Sequence, residues 1–367
     1  MRKPNYKHSI INISKSFLKH YQLYEKSDTH KALDQVLSKG YQHIVYMLLD
    51  GLGVNVIKKH LEPKDFLRKH LKDQITSVFP PTTVAATNAV LAANPPYTTG
   101  YVGWTQYFKT EDMHAMVFLD TDFYTGKKSE YNLREKYLSY ESITKKIEQK
   151  HQDVYVSELF PDFMPNGSKT FSEHVTKIKS IIKTYDASFT YVYWTEPDLS
   201  QHDFGIGHEK IKDVITDLNH QVETLAHSFD DDVLLVVIAD HGLIDVTSID
   251  LLKDALLMSC LKRMPSIEPR ATNFYVHEDH HTNFKKHFNK TYKRYFKLYS
   301  KKALYNSGLL GTGEKHPLID DFIGDFMAIA KGSYMFGLSK GTPFKAHHAG
   351  LTDAELRVPL IIYAKNC

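Results

Sequence analysis

The sequence predicts an α/β fold: a mostly parallel central sheet with helices on both faces, plus a small α+β subdomain. Three observations carry that expectation. Continuous Val/Ile/Leu runs alternate with amphipathic stretches of helical period, the pattern of a parallel sheet covered on both faces. Three of the strong apolar runs end at, or just before, an aspartate. From about 250 to 340 the alternation breaks, and the chain becomes rich in Lys, His and aromatic residues.

Taken in order, "HIVYMLLD" (43–50) reads as a buried strand and "QITSVF" (74–79) as a second. "TVAATNAVLAA" (83–93) has the composition of a helix. "DVYVSELF" (153–160) and "SFTYVYW" (188–194) are further strands. Between them "SKTFSEHVTKIKSIIKTY" (168–185) is an amphipathic helix. "KIKDVITDLNHQVETLAHSF" (210–229) is a longer one. "DVLLVVIAD" (232–240) is the clearest strand, and "RVPLIIYAK" (357–365) is one more. Within 251–340, "ATNFYVH", "FKKHFNKTYKRY" and "FKLYSK" read β-α-β, and "IGDFMAIA" (323–330) leads back to the core. The expected organisation is a catalytic domain of 1–250 and 341–367, with 251–340 inserted as the small subdomain.

Composition narrows the function classes. The 367 residues are 42% hydrophobic and 24% charged, with a formal net charge of +3. That balance fits a globular chain and gives no reason to expect nucleic acid or an anionic membrane as partner. No run reaches the roughly eighteen apolar residues of a membrane span. "MRKPNYKHSIINISKSFLKHYQ" lacks the uninterrupted apolar core of a signal peptide, so the expected setting is cytoplasmic. The two cysteines, Cys260 and Cys367, leave no room for a disulfide framework or a cysteine-based zinc site. The 21 histidines supply potential metal ligands instead.

The aspartates and histidines form a pattern. Asp50 follows "IVYMLL", Asp198 lies four residues past "FTYVYW", and Asp240 follows "VLLVVIA" with His241 next. In open parallel sheets, ligands bind outside the carboxyl ends of the strands, so three distant carboxylates can converge on one crevice. An aspartate at a strand end is also a common turn or cap residue. Asp198 and His202 are four apart, which puts them on one face of a helical turn. His347 and His348 precede the closing strand. Carboxylate and imidazole together are the donors of a zinc-type site without cysteine. In "FPPTTVAATN" (79–88), a helix starting at 83 or 84 would aim its first backbone N–H groups at an anion. Thr83 would stand at that helix start. A metal can lower the pKa of such a hydroxyl and make it a nucleophile.

"YMLLDGLG", "FPPTTVAATN", "EPDLSQHDFG", "VIADHGL" and "KAHHAGL" occur in the order used by the alkaline phosphatase superfamily. They resemble most its nucleotide pyrophosphatase/phosphodiesterase branch and related bacterial phosphodiesterases, over Asp50 to His348. The resemblance implies two divalent metal ions, usually Zn2+, with Mn2+ compatible with the same ligands. Asp50, Asp240, His241 and Thr83 would hold one; Asp198, His202 and His348 would hold the other. Thr83 would be the catalytic nucleophile, passing through a threonyl-phosphate. Thr82 and His347 would support their neighbours from behind. The implied partner is a small-molecule phosphate ester.

The chain also departs from that pattern. Where relatives follow the nucleophile with an aromatic that stacks on a nucleobase, this chain has Val84. Where they carry a phosphate-binding asparagine about twenty-one residues on, it has Trp104. Val84, through its backbone N–H, and Trp104, as a wall, are the expected substrate contacts. The Cys/Ser-x-Pro-x-Arg motif of sulfatases is missing from the nucleophile region. A phosphomonoesterase or phosphonate hydrolase is the alternative reaction. A metal-stabilised binding module on a degenerate phosphatase fold is the alternative without catalysis. Arg270, Lys285, Lys286 and Lys293 are candidates to face an anionic substrate.

Overall fold

The computed structural model describes residues 1–339 and 343–366. A six-stranded sheet forms the centre. Its order is β2 (Leu71–Thr76), β17 (Arg357–Tyr363), β8 (Val233–Ile238), β1 (His43–Leu49), β7 (Ser188–Trp194) and β6 (Tyr155–Leu159). β1 runs parallel to β7 and β8, and β6 parallel to β7. Every residue of β1 and β8 is buried, as their unbroken apolar runs require.

The β17 edge differs from a purely parallel sheet. β17 is antiparallel to both β8 and β2. The reason is local. The chain reaches β17 from the carboxyl end of the sheet through one short helix, Asp353–Leu356, held by a Thr352/Glu355 capping box. Without a crossover helix, only an antiparallel entry is available.

The expected helices form at Thr83–Ala92, Phe171–Thr184 and Glu209–His227. The last buries Ile211, Ile215, Leu218, Val222 and Leu225, a stripe of helical period facing the sheet.

A second, antiparallel sheet has seven strands. Its order is β13 (Phe296–Ser300), β14 (Phe326–Ala330), β12 (Ala271–Val276), β11 (Leu261–Glu268), β3 (Thr105–Phe108), β4 (Met113–Met116) and β5 (Thr121–Asp122). The helix His281–Tyr292 buries Phe284, Phe288 and Tyr292, and they join Phe274 and Phe336 in one aromatic cluster. The second sheet thus draws on strands from 105–122 as well as from 261–330. Residues 105–122 follow the Thr83–Ala92 helix closely in the chain. Two short ribbons complete the strands, β9 (Ile244–Asp245) with β16 (Ala346–His347) and β10 (Thr247–Asp250) with β15 (Tyr334–Gly337). The expected boundary at 340/341 lies outside the described residues, as does Cys367. Cys260 is a buried free thiol. No described helix is long and apolar enough to cross a membrane.

Arg270 does not face a substrate. It is fully buried, and its guanidinium grips Glu355 through Nε–Oε1 at 2.7 Å and Nη2–Oε2 at 2.9 Å. Glu355 also accepts from the Gly350 N–H at 2.7 Å. A Cβ at Gly350 would stand 2.7 Å from Arg270 Nη2 and 2.8 Å from Glu355, so this close approach requires glycine. The pair fastens the second sheet to the turn just after His348. Lys285, Lys286 and Lys293 lie on an exposed face.

Candidate active site and metal centre

The carboxyl ends of β1, β7 and β8 bring the expected residues together. Asp50 follows β1 and Asp240 lies two residues past β8, while Asp198 opens the short helix Asp198–Phe204 after β7. The Asp198 N–H donates to the Asp50 carbonyl at 3.0 Å, which locks the two loops. Asp50, Asp240 and His241 offer one ligand atom each, all within 4.8 Å of one another, and so do Asp198, His202 and His348. The His241 and His348 rings stack at 3.9 Å, so the two clusters share a wall.

Thr83 sits at the first cluster. Its Oγ1 lies 3.2 Å from Asp50 Oδ2 and 3.3 Å from His241 Nε2. The helix begins at Thr83, with Thr82 in the N-cap position. The Thr82 hydroxyl does not cap; it donates to Glu268 Oε1 at 2.6 Å. The first-turn amides are therefore left to face the site, as an anion-binding helix start needs.

Two histidines are oriented for metal binding. His202 Nδ1 lies 2.9 Å from the Ala346 carbonyl and His348 Nδ1 lies 3.2 Å from the Pro81 carbonyl. A carbonyl can only accept, so each Nδ1 carries a proton and each Nε2 is the ring atom left to serve a metal. That is the usual second contact of a metal-ligating histidine. Both Nε2 atoms turn toward Asp198, at 3.3 and 3.9 Å. His347 stands behind them, its ring 5.0 Å from His202 and 4.8 Å from His348.

The electrostatics point the same way. Burial, and then the charges of Asp240 and Asp198, push Asp50 well above the usual carboxylate range. Burial likewise raises Asp240. Burial would raise Asp198 too, but the charge and hydrogen bond of His202, together with His241 and His347, outweigh it and hold Asp198 low. Burial, and then neighbouring His241 and His347, keep His348 neutral at neutral pH. Asp198 Oδ1, Asp240 Oδ2 and His241 Nδ1 are buried without a hydrogen-bond partner. Converging buried carboxylates with unpartnered oxygens are costly alone, and divalent cations at these donors would remove that cost. The residues fit two such ions.

Two residues at the site carried no sequence signal. Tyr193 donates its hydroxyl to Asp50 Oδ2. Glu268, at the end of β11, accepts from Thr82 and from the Trp104 N–H at 2.8 Å. Burial raises Glu268 to about 7, and one of its oxygens lies within 4.8 Å of ligand atoms of His347 and His348. Glu268 thus joins the second sheet to the residue preceding Thr83. Glu268→Ala is expected to lower kcat about tenfold through misplaced Thr83, with KM near wild type. Glu268→Gln keeps an acceptor oxygen and should retain most activity in steady-state assays.

The Val84 side chain is fully buried among Phe79, Val102 and Ala271, so only its backbone N–H is left for a ligand. Trp104 is half-buried and packs edge-on against Phe118 at 6.2 Å. Its backbone serves Glu268.

Two carboxylate–imidazole clusters thus lie at the carboxyl ends of a mixed sheet, one of them beside the threonine that starts a helix. The chain belongs to the type I phosphodiesterase / nucleotide pyrophosphatase family, whose model matches residues 44–352. It is a phosphoester hydrolase of that type. Among solved structures it is similar to murine ectonucleotide pyrophosphatase / phosphodiesterase 5, at 17% identity and TM-score 0.65, covering 87% of each chain. An inactive variant of that murine protein in complex with AMP matches at 16% identity and TM-score 0.66, over 88% of each chain. The human counterpart matches at 13% identity and TM-score 0.66, again over 88% of each. These likenesses extend the α/β fold to the whole arrangement described above.

Proposed function

We propose that the protein hydrolyses small-molecule phosphodiesters or pyrophosphates through a covalent intermediate on Thr83, with two divalent cations, most readily Zn2+, at the two clusters. One observation carries the reading: the Thr83 hydroxyl stands at a helix start, 3.2 Å from Asp50 and 3.3 Å from His241. Bound cations would lower the pKa of that hydroxyl and neutralise charge on the attacking and leaving oxygens. Asp50, Asp240 and His241 would hold one; Asp198, His202 and His348 would hold the other.

The residues supply the rest. Thr83 Oγ1 gives its proton to solvent and forms a bond to phosphorus as the bond to the leaving oxygen breaks, and the released oxygen takes a proton from water. First-turn amides, including that of Val84, hold a non-bridging oxygen. Tyr193 keeps Asp50 in place by donating to it. Water then attacks phosphorus from the vacated side, breaks the Oγ1–P bond and returns the threonine hydroxyl. A diester is favoured over a monoester because Arg270 is committed to Glu355 and cannot grip a dianion. The AMP complex of the murine relative makes nucleotide phosphodiesters sensible first substrates. Zinc in place of manganese, and a cytoplasmic setting for a chain with so few cysteines, belong to the same proposal.

The test compares an aryl phosphodiester, an aryl phosphomonoester and an aryl phosphonate, each with and without chelator. We expect the diester to be cleaved fastest, by at least about tenfold in kcat/KM, and chelator to abolish the reaction. Faster cleavage of the monoester or phosphonate would transfer the assignment to that class.

A further inference from the structure

One side of the site has an apolar rim. Phe344 leaves 46% of its surface exposed, yet its ring rests 4.5 Å from His202 and 5.4 Å from His347. Leu199 directly follows Asp198 and is 59% exposed. It lies one step round the helix Asp198–Phe204 from the Asp198–His202 face. Large apolar side chains left in water beside a reacting centre mark a binding surface. Phe344 thus borders the Asp198–His202–His348 cluster, and Leu199 adjoins Asp198 in the chain.

That location fixes which part of a substrate they meet. Thr83 is held by the other cluster, through Asp50 and His241. In an in-line displacement the leaving oxygen departs opposite the nucleophile, so it falls to the Asp198–His202–His348 side. The group attached to that oxygen then extends past His202 toward Phe344 and Leu199.

We propose that Phe344 and Leu199 form a leaving-group subsite that selects esters of aromatic or apolar alcohols. The inference rests on the reaction proposed above. Aromatic leaving groups stack on the exposed face of Phe344, and aliphatic ones cover Leu199. The substrate class is a phosphodiester with one apolar alcohol, that alcohol being the one released.

The test pairs two diesters that share a methyl group, methyl para-nitrophenyl phosphate and methyl trifluoroethyl phosphate. Each variant is compared with wild type on the same substrate, which cancels intrinsic reactivity. Phe344→Ala should lower kcat/KM about tenfold on the aryl diester and less than about twofold on the trifluoroethyl one. Leu199→Ser should shift both in the same direction by less. A binding readout stands apart from turnover. By titration calorimetry, Thr83→Ala protein should prefer phenyl methylphosphonate over methyl methylphosphonate, and adding Phe344→Ala should cut that preference about tenfold. Equal losses on both diesters, or a preference unmoved by Phe344→Ala, would overturn the subsite. If wild type cleaves neither diester the reaction assignment fails, and the calorimetric preference still decides the subsite.

Discussion

Replacing Thr83 by alanine is expected to lower kcat on an activated phosphodiester by about 10⁴-fold or more, the scale on which a covalent nucleophile is lost. The argument is geometric. No side chain besides Thr83 stands at a helix start with its hydroxyl 3.2 Å from Asp50 and 3.3 Å from His241 among the described residues. Substrate should still bind, because the amides of the first turn and both ligand clusters remain. KM should therefore change little, and metal content by elemental analysis should fall at most at the first cluster. Thr83→Ser keeps the hydroxyl but frees its rotamer, since serine lacks the methyl that restricts χ1 in threonine. It should keep measurable activity, well above alanine. With substrate in excess, a pre-steady-state burst of released alcohol should appear with the serine variant and vanish with alanine. An alanine variant that retains wild-type kcat would remove the covalent step and leave direct attack by water.

Much of this site was legible because its residues sit where sequence pattern is strongest. Asp50 and Asp240 close the two most continuous apolar runs, β1 and β8, and buried parallel strands must deliver their carboxyl ends to one edge. Thr83 was legible because two prolines and a small-residue run mark a helix start. The unread parts share a cause: their meaning lies in a partner far along the chain. Glu268 meets Thr82 across 186 residues and has no local motif. Tyr193 is one of several aromatics in an apolar strand, and only the register of β1 with β7 sets its hydroxyl on Asp50. β3–β5 read as little in isolation, because short antiparallel strands acquire their identity from the sheet they join. Arg270 looked available to an anion because composition cannot reveal a buried carboxylate 85 positions away.

Removing metal should cost stability as well as turnover, and the dependence on pH identifies the responsible groups. In the metal-free protein, burial and then the charges of Asp240 and Asp198 raise Asp50, while burial and the charge of Asp198 raise Asp240. A carboxylate raised on folding binds its proton more tightly folded than unfolded. Its unfavourable contribution is thus absent below the unfolded pKa and grows as pH climbs toward the folded one. Metal-free protein should therefore lose stability as pH rises from mildly acid toward neutral. Metal works in the opposite direction, because its ligands must be deprotonated and binding tightens with pH. The gap in Tm between loaded and chelated protein should widen across that range. At a thousandfold excess over Kd the gain is about 4 kcal/mol per site, or a Tm rise on the order of 5–10 °C for a chain of this size. Asp50→Asn separates the terms: it removes one repelling charge and one ligand. It should raise the Tm of chelated protein slightly and lower that of loaded protein, so that the two melting curves draw together. Calorimetric or fluorescence melts at several pH values, with and without zinc, read both shifts. A gap that stays constant with pH, or an Asp50→Asn protein that melts like wild type in both states, would place the metal away from these carboxylates.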